Sequence, residues 1–160
     1  MNEWYTLFGA TASASATLTG LLFVGVSINL QKILALKGLA ERALVSMILL
    51  LLILVVSIMM LIPKESFAIV GSRLLVFTII SWLIISLIDF RAIKQIKHEF
   101  KPHFILNIIL DQVAMLIYII SAIMVLVSKE TGLYWVASAF IFSFVKAVTD
   151  AWVLLVEINR

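Results

Sequence analysis

Apolar residues fall into five long blocks separated by short polar connections. A helix rises about 1.5 Å per residue, so about 20 mostly apolar residues cross the hydrocarbon of a bilayer. The blocks cover 6–30, 43–62, 67–88, 104–127 and 133–156, and each reaches or approaches that length. The second is nearly solid Leu, Ile, Val and Met, closed by Pro63-Lys64-Glu65. The third is interrupted by Arg73 and closed by Asp89, so its unbroken run from Leu74 to Ile88 covers only about 22 Å. Arg73 lies close enough to one end for its long stem to carry the guanidinium to the headgroups; a re-entrant third segment is the alternative. The pattern predicts an all-α fold, an integral membrane bundle of five transmembrane helices, with 1–160 as one domain.

The connections set the expected orientation. Lys32, Lys37 and Arg42 lie in the first, and Arg91, Lys94, Lys97 and Lys101 in the third. The opposite side carries only Lys64 and Lys129, joined by Arg73 if it snorkels. Basic connections stay in the cytoplasm, which places the N-terminus outside and the C-terminus inside. Aromatic residues agree: Trp4, Tyr5, Phe67, Tyr134 and Trp135 gather at the expected outer interface, and Phe90, Phe100, Phe104 and Trp152 at the inner one. Phe90, Ile93, Ile96 and Phe100 recur at helical spacing, with Arg91, Lys94, Gln95, Lys97 and Lys101 on the other face. That segment reads either as a basic amphipathic helix held on anionic lipid and ended by Pro102, or as a solvated loop.

Composition narrows the chemistry. Twelve Lys and Arg stand against nine Asp and Glu, and the excess sits in the connections, where it encodes topology rather than a nucleic-acid surface. The chain has no cysteine, which excludes disulfides, thiolate metal sites and a cysteine nucleophile. His98 and His103 lie in a basic connection with no third ligand near in sequence and read as structural or solvated, with metal binding or pH sensing as the alternative. No nucleophile–base pair, phosphate loop or metal-ligand set is visible, so neither catalysis nor a cofactor is expected. The small-residue run 10–16 precedes the most apolar part of its block, and Glu3 stands where a signal peptide is positive. The first block is therefore expected to remain as a span.

Two polar patterns remain. In the first block Thr6, Ser13, Gly20 and Ser27 recur by sevens, with Gly9, Thr17, Val24 and Gln31 on the same face and Ala12 and Ala16 adding small residues. Small residues let helices approach closely, and hydroxyls bond across the contact or back to their own helix. The stripe fits a tight helix seam or the lining of a pore in a symmetric homo-oligomer.

The second pattern is charge. Lys146 and Asp150 lie four apart in the fifth block, and Asp111 lies in the fourth. The twelve Leu, Ile, Val and Phe of the fifth block favour insertion by about 4–7 kcal/mol. Lys146 and Asp150, unpaired, oppose it by about 5–7 kcal/mol, so this helix needs local pairing, a neighbour or water. Asp111 and Asp150 are expected about 10 Å from the cytoplasmic side, with Lys146 about 6 Å deeper. The short turn 128–132 makes the last two helices antiparallel neighbours. One face of the fourth carries Asn107, Asp111, Met115, Tyr118 and Ala122; one face of the fifth carries Ala139, Ser143, Lys146, Asp150 and Glu157. If these faces meet, Lys146 reaches either carboxylate, with Asn107, Gln112, Tyr118, Ser143 and Thr149 as supporting polar groups. The cluster reads as a buried ion pair that fixes packing or as part of a water-filled path for a small ion.

The segment Gly20-Leu-Leu-Phe-Val-Gly-Val-Ser-Ile-Asn-Leu30, and again 152–160, resembles a family of small, mostly uncharacterised bacterial integral membrane proteins, some labelled modulator of FtsH protease. The resemblance implies a bacterial inner-membrane location and carries no active site. The first block is also faintly similar to the pore helix of Orai calcium channels, but Ile28 stands near where an acidic selectivity residue belongs, so calcium selectivity is not expected. The expected function is a homo-oligomeric channel-like or transport assembly for a small ion; a non-conducting membrane regulator or assembly partner, for example of a membrane protease, is the alternative.

Overall fold

The computed structural model describes residues 2–35, 38–95 and 101–158, and all of its regular structure is helical. Six helices follow one another: α1 (Asn2–Ile28), α2 (Leu30–Ala35), α3 (Leu39–Leu61), α4 (Phe67–Gln95), α5 (Lys101–Ser128) and α6 (Glu130–Ile158). All but α2 are long and apolar enough to cross a membrane. An apolar segment in lipid must satisfy its own backbone, and the α-helix does this within one element.

The breaks have local causes. Gly38 takes a left-handed φ of 84° before α3. Lys64 (φ 63°) and Lys129 (φ 49°) do the same between the long helices, a conformation that costs a side chain about 1–2 kcal/mol. Ser66 opens α4 by accepting from the Ile69 N–H at its carbonyl, 3.0 Å. Pro102 falls in the first turn of α5, where its missing N–H costs nothing.

Two expected boundaries and one alternative need correction. The first helix stops at Ile28, and Gln31 belongs to the short α2, so it leaves the α1 stripe. The Asn29 side chain donates to the Gly25 carbonyl at 3.0 Å, where the helix is interrupted. The third segment is not re-entrant: α4 is one unbroken helix of 29 residues, about 43 Å long. It passes through Asp89 to Gln95, because Asp89 and Ala92 face inward and continue its buried side. Thus the start of the basic segment is the last turns of α4, with Lys94 lying 4.2 Å over the Phe90 ring. Lys97 and the rest of 96–100, including His98, lie outside the described residues, as do the side chains of Lys101, His103 and Glu157. Arg73 reaches back to Glu65 at 2.5 Å, towards the start of α4.

α3, α4, α5 and α6 enclose the core, and α1 leans on α3 with a lighter touch on α6. Leu49, Ile53 and Val56 of α3 meet Leu74 and Ile85 of α4, Met115 and Val125 of α5, and Val136 and Phe140 of α6. α1 contributes only Phe8, Ser15 and Leu22 to the fully buried set, a narrow seam repeating by sevens. The Thr6–Ser13–Gly20–Ser27 stripe repeats with the same period two residues earlier, which turns it about 200° around the helix. It therefore faces away from the bundle, and an added Cβ at Gly9 or Gly20 would meet nothing within 4 Å.

Gly132 does the opposite. A Cβ there would lie 2.4 Å from the Val125 nitrogen, so the start of α6 touches the backbone of α5 directly. Replacing Gly132 by Ala forces the two helices apart and is expected to cost about 1–3 kcal/mol, read from unfolding in detergent.

Candidate functional site

The facing sides of α5 and α6 bring the charged residues together. Asp111, Lys146 and Asp150 are all buried, at 1%, 6% and 4% exposure. The Lys146 ammonium lies 2.9 Å from Asp111 Oδ1, a charge contact not aligned as a hydrogen bond. It also donates to Asp150 Oδ2 within its own helix. One turn of helix separates Lys146 from Asp150, so a single ammonium bridges both carboxylates.

Two further charges complete the cluster, and neither was expected there. Arg42, in the first turn of α3, places a guanidinium nitrogen 3.6 Å from Asp150 Oδ1. Asp89 of α4 is buried and accepts from the Gln112 amide at 3.4 Å. That amide also reaches Ser86 at 3.4 Å, while Gln112 Oε1 accepts from the Trp82 indole N–H at 2.6 Å. Gln112 thus holds Asp89 from α5, and four helices converge on one group of charges. Among the described residues, three buried carboxylates (Asp89, Asp111, Asp150) face two cations (Arg42, Lys146), one negative charge in excess.

The supporting polar residues divide. Gln112 serves Asp89, as described. Asn107 is half-buried and lines the two hollows beside the cluster. Thr149 is exposed and donates to the Val145 carbonyl at 2.7 Å, so it does not support the cluster, contrary to expectation. One residue away from Asp150 is about 100° of helix rotation, which points it outward. Tyr118 and Ser143 lie deeper in the core, within reach of one another. Both are fully buried, yet neither hydroxyl completes a hydrogen bond with a protein group. Buried hydroxyls without partners are costly, and such polar pairs are typical places for an internal water. Tyr118 packs at a tilt on Phe140, and Phe140 meets Phe8 edge-on, 6.1 Å between centroids, so an aromatic layer bounds the polar interior.

Two hollows flank the charges. A cleft of about 420 Å³ is lined by Arg42, Asn107, Lys146, Thr149 and Asp150 together with apolar side chains of α5 and α6. A much smaller one, about 10 Å³, lies among Glu41, Arg42, Asp89, Asn107 and Asp111. Its size suits one water. Among the described residues, no group of three His, Cys, Asp or Glu side chains is placed to hold a metal ion.

The α1 stripe stands apart from this cluster. Ser13 donates to the Gly9 carbonyl at 3.0 Å, Thr17 to Ser13 at 2.8 Å and Ser27 to Phe23 at 2.8 Å. Each hydroxyl is satisfied by its own helix.

Comparison with protein-family models, with curated proteins and with solved structures returns no match for this chain.

Proposed function

We propose that this protein is a proton-linked transport protein of the bacterial inner membrane, oriented with its N-terminus out, in which the buried charge cluster exchanges a proton with the cytoplasmic side. The observation that carries this reading is the imbalance, among the described residues, of three buried carboxylates against two cations inside an apolar bundle. An uncompensated charge in such surroundings is costly, and one bound proton removes it. The water-sized hollow between Asp89 and Asp111 supports the same reading. In this orientation the basic connections face the cytoplasm, and the cluster lies in the inner half of the bilayer.

The exposed α1 stripe is, on this reading, the seam of a homo-oligomer rather than the wall of its pore. Small residues without neighbours suit close packing between copies, and hydroxyls bonded to their own helix present little to an ion. The same self-satisfied stripe favours a second reading, in which α1 docks on another membrane protein and the chain regulates that partner without conducting.

Purified protein in liposomes separates the two. Under an imposed pH gradient the chain is expected to carry protons, and Asp89→Asn, which keeps the shape and removes the excess charge, is expected to slow the flux at least about tenfold (a loss of about 1.4 kcal/mol of barrier stabilisation). No flux above protein-free liposomes for protons, Na⁺, K⁺ or Cl⁻ contradicts the transport reading.

A further inference from the structure

Gln112 sits next to Asp111 on α5, about 100° around the helix, so the two side chains serve different neighbours. Asp111 meets Lys146 of α6, whereas Gln112 meets α4. Its partners there are Trp82, Ser86 and Asp89, spaced four and three apart and therefore on one face. The amide has one atom that accepts and one that donates, and turning it over would exchange them. Trp82 removes that choice. An indole N–H only donates, so the atom 2.6 Å from it is Oε1. The Nε2 group is then turned to Ser86 and Asp89, each at 3.4 Å. Trp82 decides, from the far side of the amide, that Asp89 is met by a donor.

The consequence falls on the proton. An ionised carboxylate only accepts, so the amide serves the charged form of Asp89 at Oδ2. An O–H on that same oxygen would meet the amide donor against donor. A proton on Asp89 is thereby confined to Oδ1, and on leaving it uncovers a carboxylate that already has a partner. The surroundings of Asp89 suit exchange at that oxygen. Glu41 and Arg42 of α3 and Asp111 of α5 line the water-sized hollow together with Asp89. Lys146 and Asp150 of α6 act on it through charge. Along α4 the nearest charged residue, Arg91, is exposed. One water in the hollow is enough to pass a proton to the oxygen that Gln112 leaves open.

We propose that Gln112 is a positioning residue for proton exchange, locked by Trp82 so that it holds Asp89 through Oδ2 and leaves Oδ1 to take up and release the proton. The proposal rests on the reading of the cluster as a proton-exchanging site and adds how that site is set. With Trp82 replaced by Phe, the amide is able to turn over. Its Oε1 then accepts from a protonated Asp89, the proton is held more tightly, and exchange moves to higher pH. Gln112→Leu removes the donor to the carboxylate and moves it the same way. A role confined to packing would lower the melting temperature of either variant without moving its pH profile.

The full chain gives two independent readouts. In liposomes, the midpoint of the pH profile of proton flux is expected to rise by up to about one unit in Trp82→Phe and in Gln112→Leu. In detergent micelles, the indole N–H resonances of the four tryptophans are followed across pH, that of Trp82 being the one lost in Trp82→Phe. The Trp82 resonance is expected to shift with pH in the parent and to stop doing so in Asp89→Asn and in Gln112→Leu. An unmoved midpoint in both variants, each shown by its melting temperature to be folded, overturns the proposal. So does a Trp82 resonance that is flat with pH in the parent or still titrates in Asp89→Asn. That resonance decides by itself if a variant does not fold. Flux accompanied by either overturning result sinks the positioning role alone; a Trp82 resonance that titrates through Asp89, without transmembrane flux, sinks transport and leaves the positioning role standing.

Discussion

Replacing Lys146 by Met is expected to lower the stability of the folded chain by about 3–5 kcal/mol, the cost of stranding buried charge. Met keeps the length and the apolar stem, so packing changes little and the loss reports on charge. Asp111 and Asp150 would then share one interior with Asp89, with Arg42 as the one counter-charge among the described residues. Insertion alone would become easier, because the helix sheds a cation that costs about 2.5–3.5 kcal/mol at the bilayer centre. The two effects have opposite signs, which makes the test sharp. The variant should reach the membrane at least as well as the parent and unfold more readily in a detergent titration. A stability loss below about 1 kcal/mol would mean that the carboxylates are solvated by open water rather than held by Lys146.

Phe140→Ala is the second large effect, with an expected loss of about 3 kcal/mol. Phe140 is 1% exposed and stands between Tyr118 and Phe8, so it ties α6 to α5 and α1 at one layer. In lipid there is little gain from burying apolar area as such, and the loss comes from dispersion contacts and the cavity left behind. That places the estimate at the low end of the range for Phe in soluble cores. Phe140→Leu, which refills most of the space, is expected to cost less than about 1.5 kcal/mol. Unfolding curves of both variants check the ordering, and an equal loss for Leu and Ala would show that ring geometry, not volume, holds this layer.

The bundle was legible because five apolar blocks of membrane length leave the backbone few choices, and the meeting of α5 with α6 followed from helical period and a short turn. Asp111, Lys146 and Asp150 lie where their spacing places them. Arg42 and Asp89 did not stand out, and both for one reason. The end of an apolar run is not the end of its helix: α3 and α4 carry their helical faces past it. The signal was present in the periodicity. Arg42 continues the buried series Val45, Leu49, Leu52 and Val56, and Asp89 continues Leu74, Thr78, Ser81 and Ile85. Extending each buried face by one turn reaches both charges. Thr149 and Tyr118 failed as supports on simple geometry: one points outward, and the other lies two turns from Asp111, about 10 Å along the axis. The outward turn of the α1 stripe had no counterpart in the sequence, because small polar residues recur with equal ease on a buried seam and on an exposed one.

The central claim is that α5 and α6 are joined through Lys146 and Asp111 in a buried, charge-unbalanced interior. A double-mutant cycle tests it most directly, with stability measured for the parent, Lys146→Met, Asp111→Asn and the pair. The account predicts that the double variant is more stable than Lys146→Met alone, because removing Asp111 relieves the stranded charge, with a coupling of about 2–3 kcal/mol. Losses that add to within about 0.5 kcal/mol would contradict it, since independent sites behave in that way.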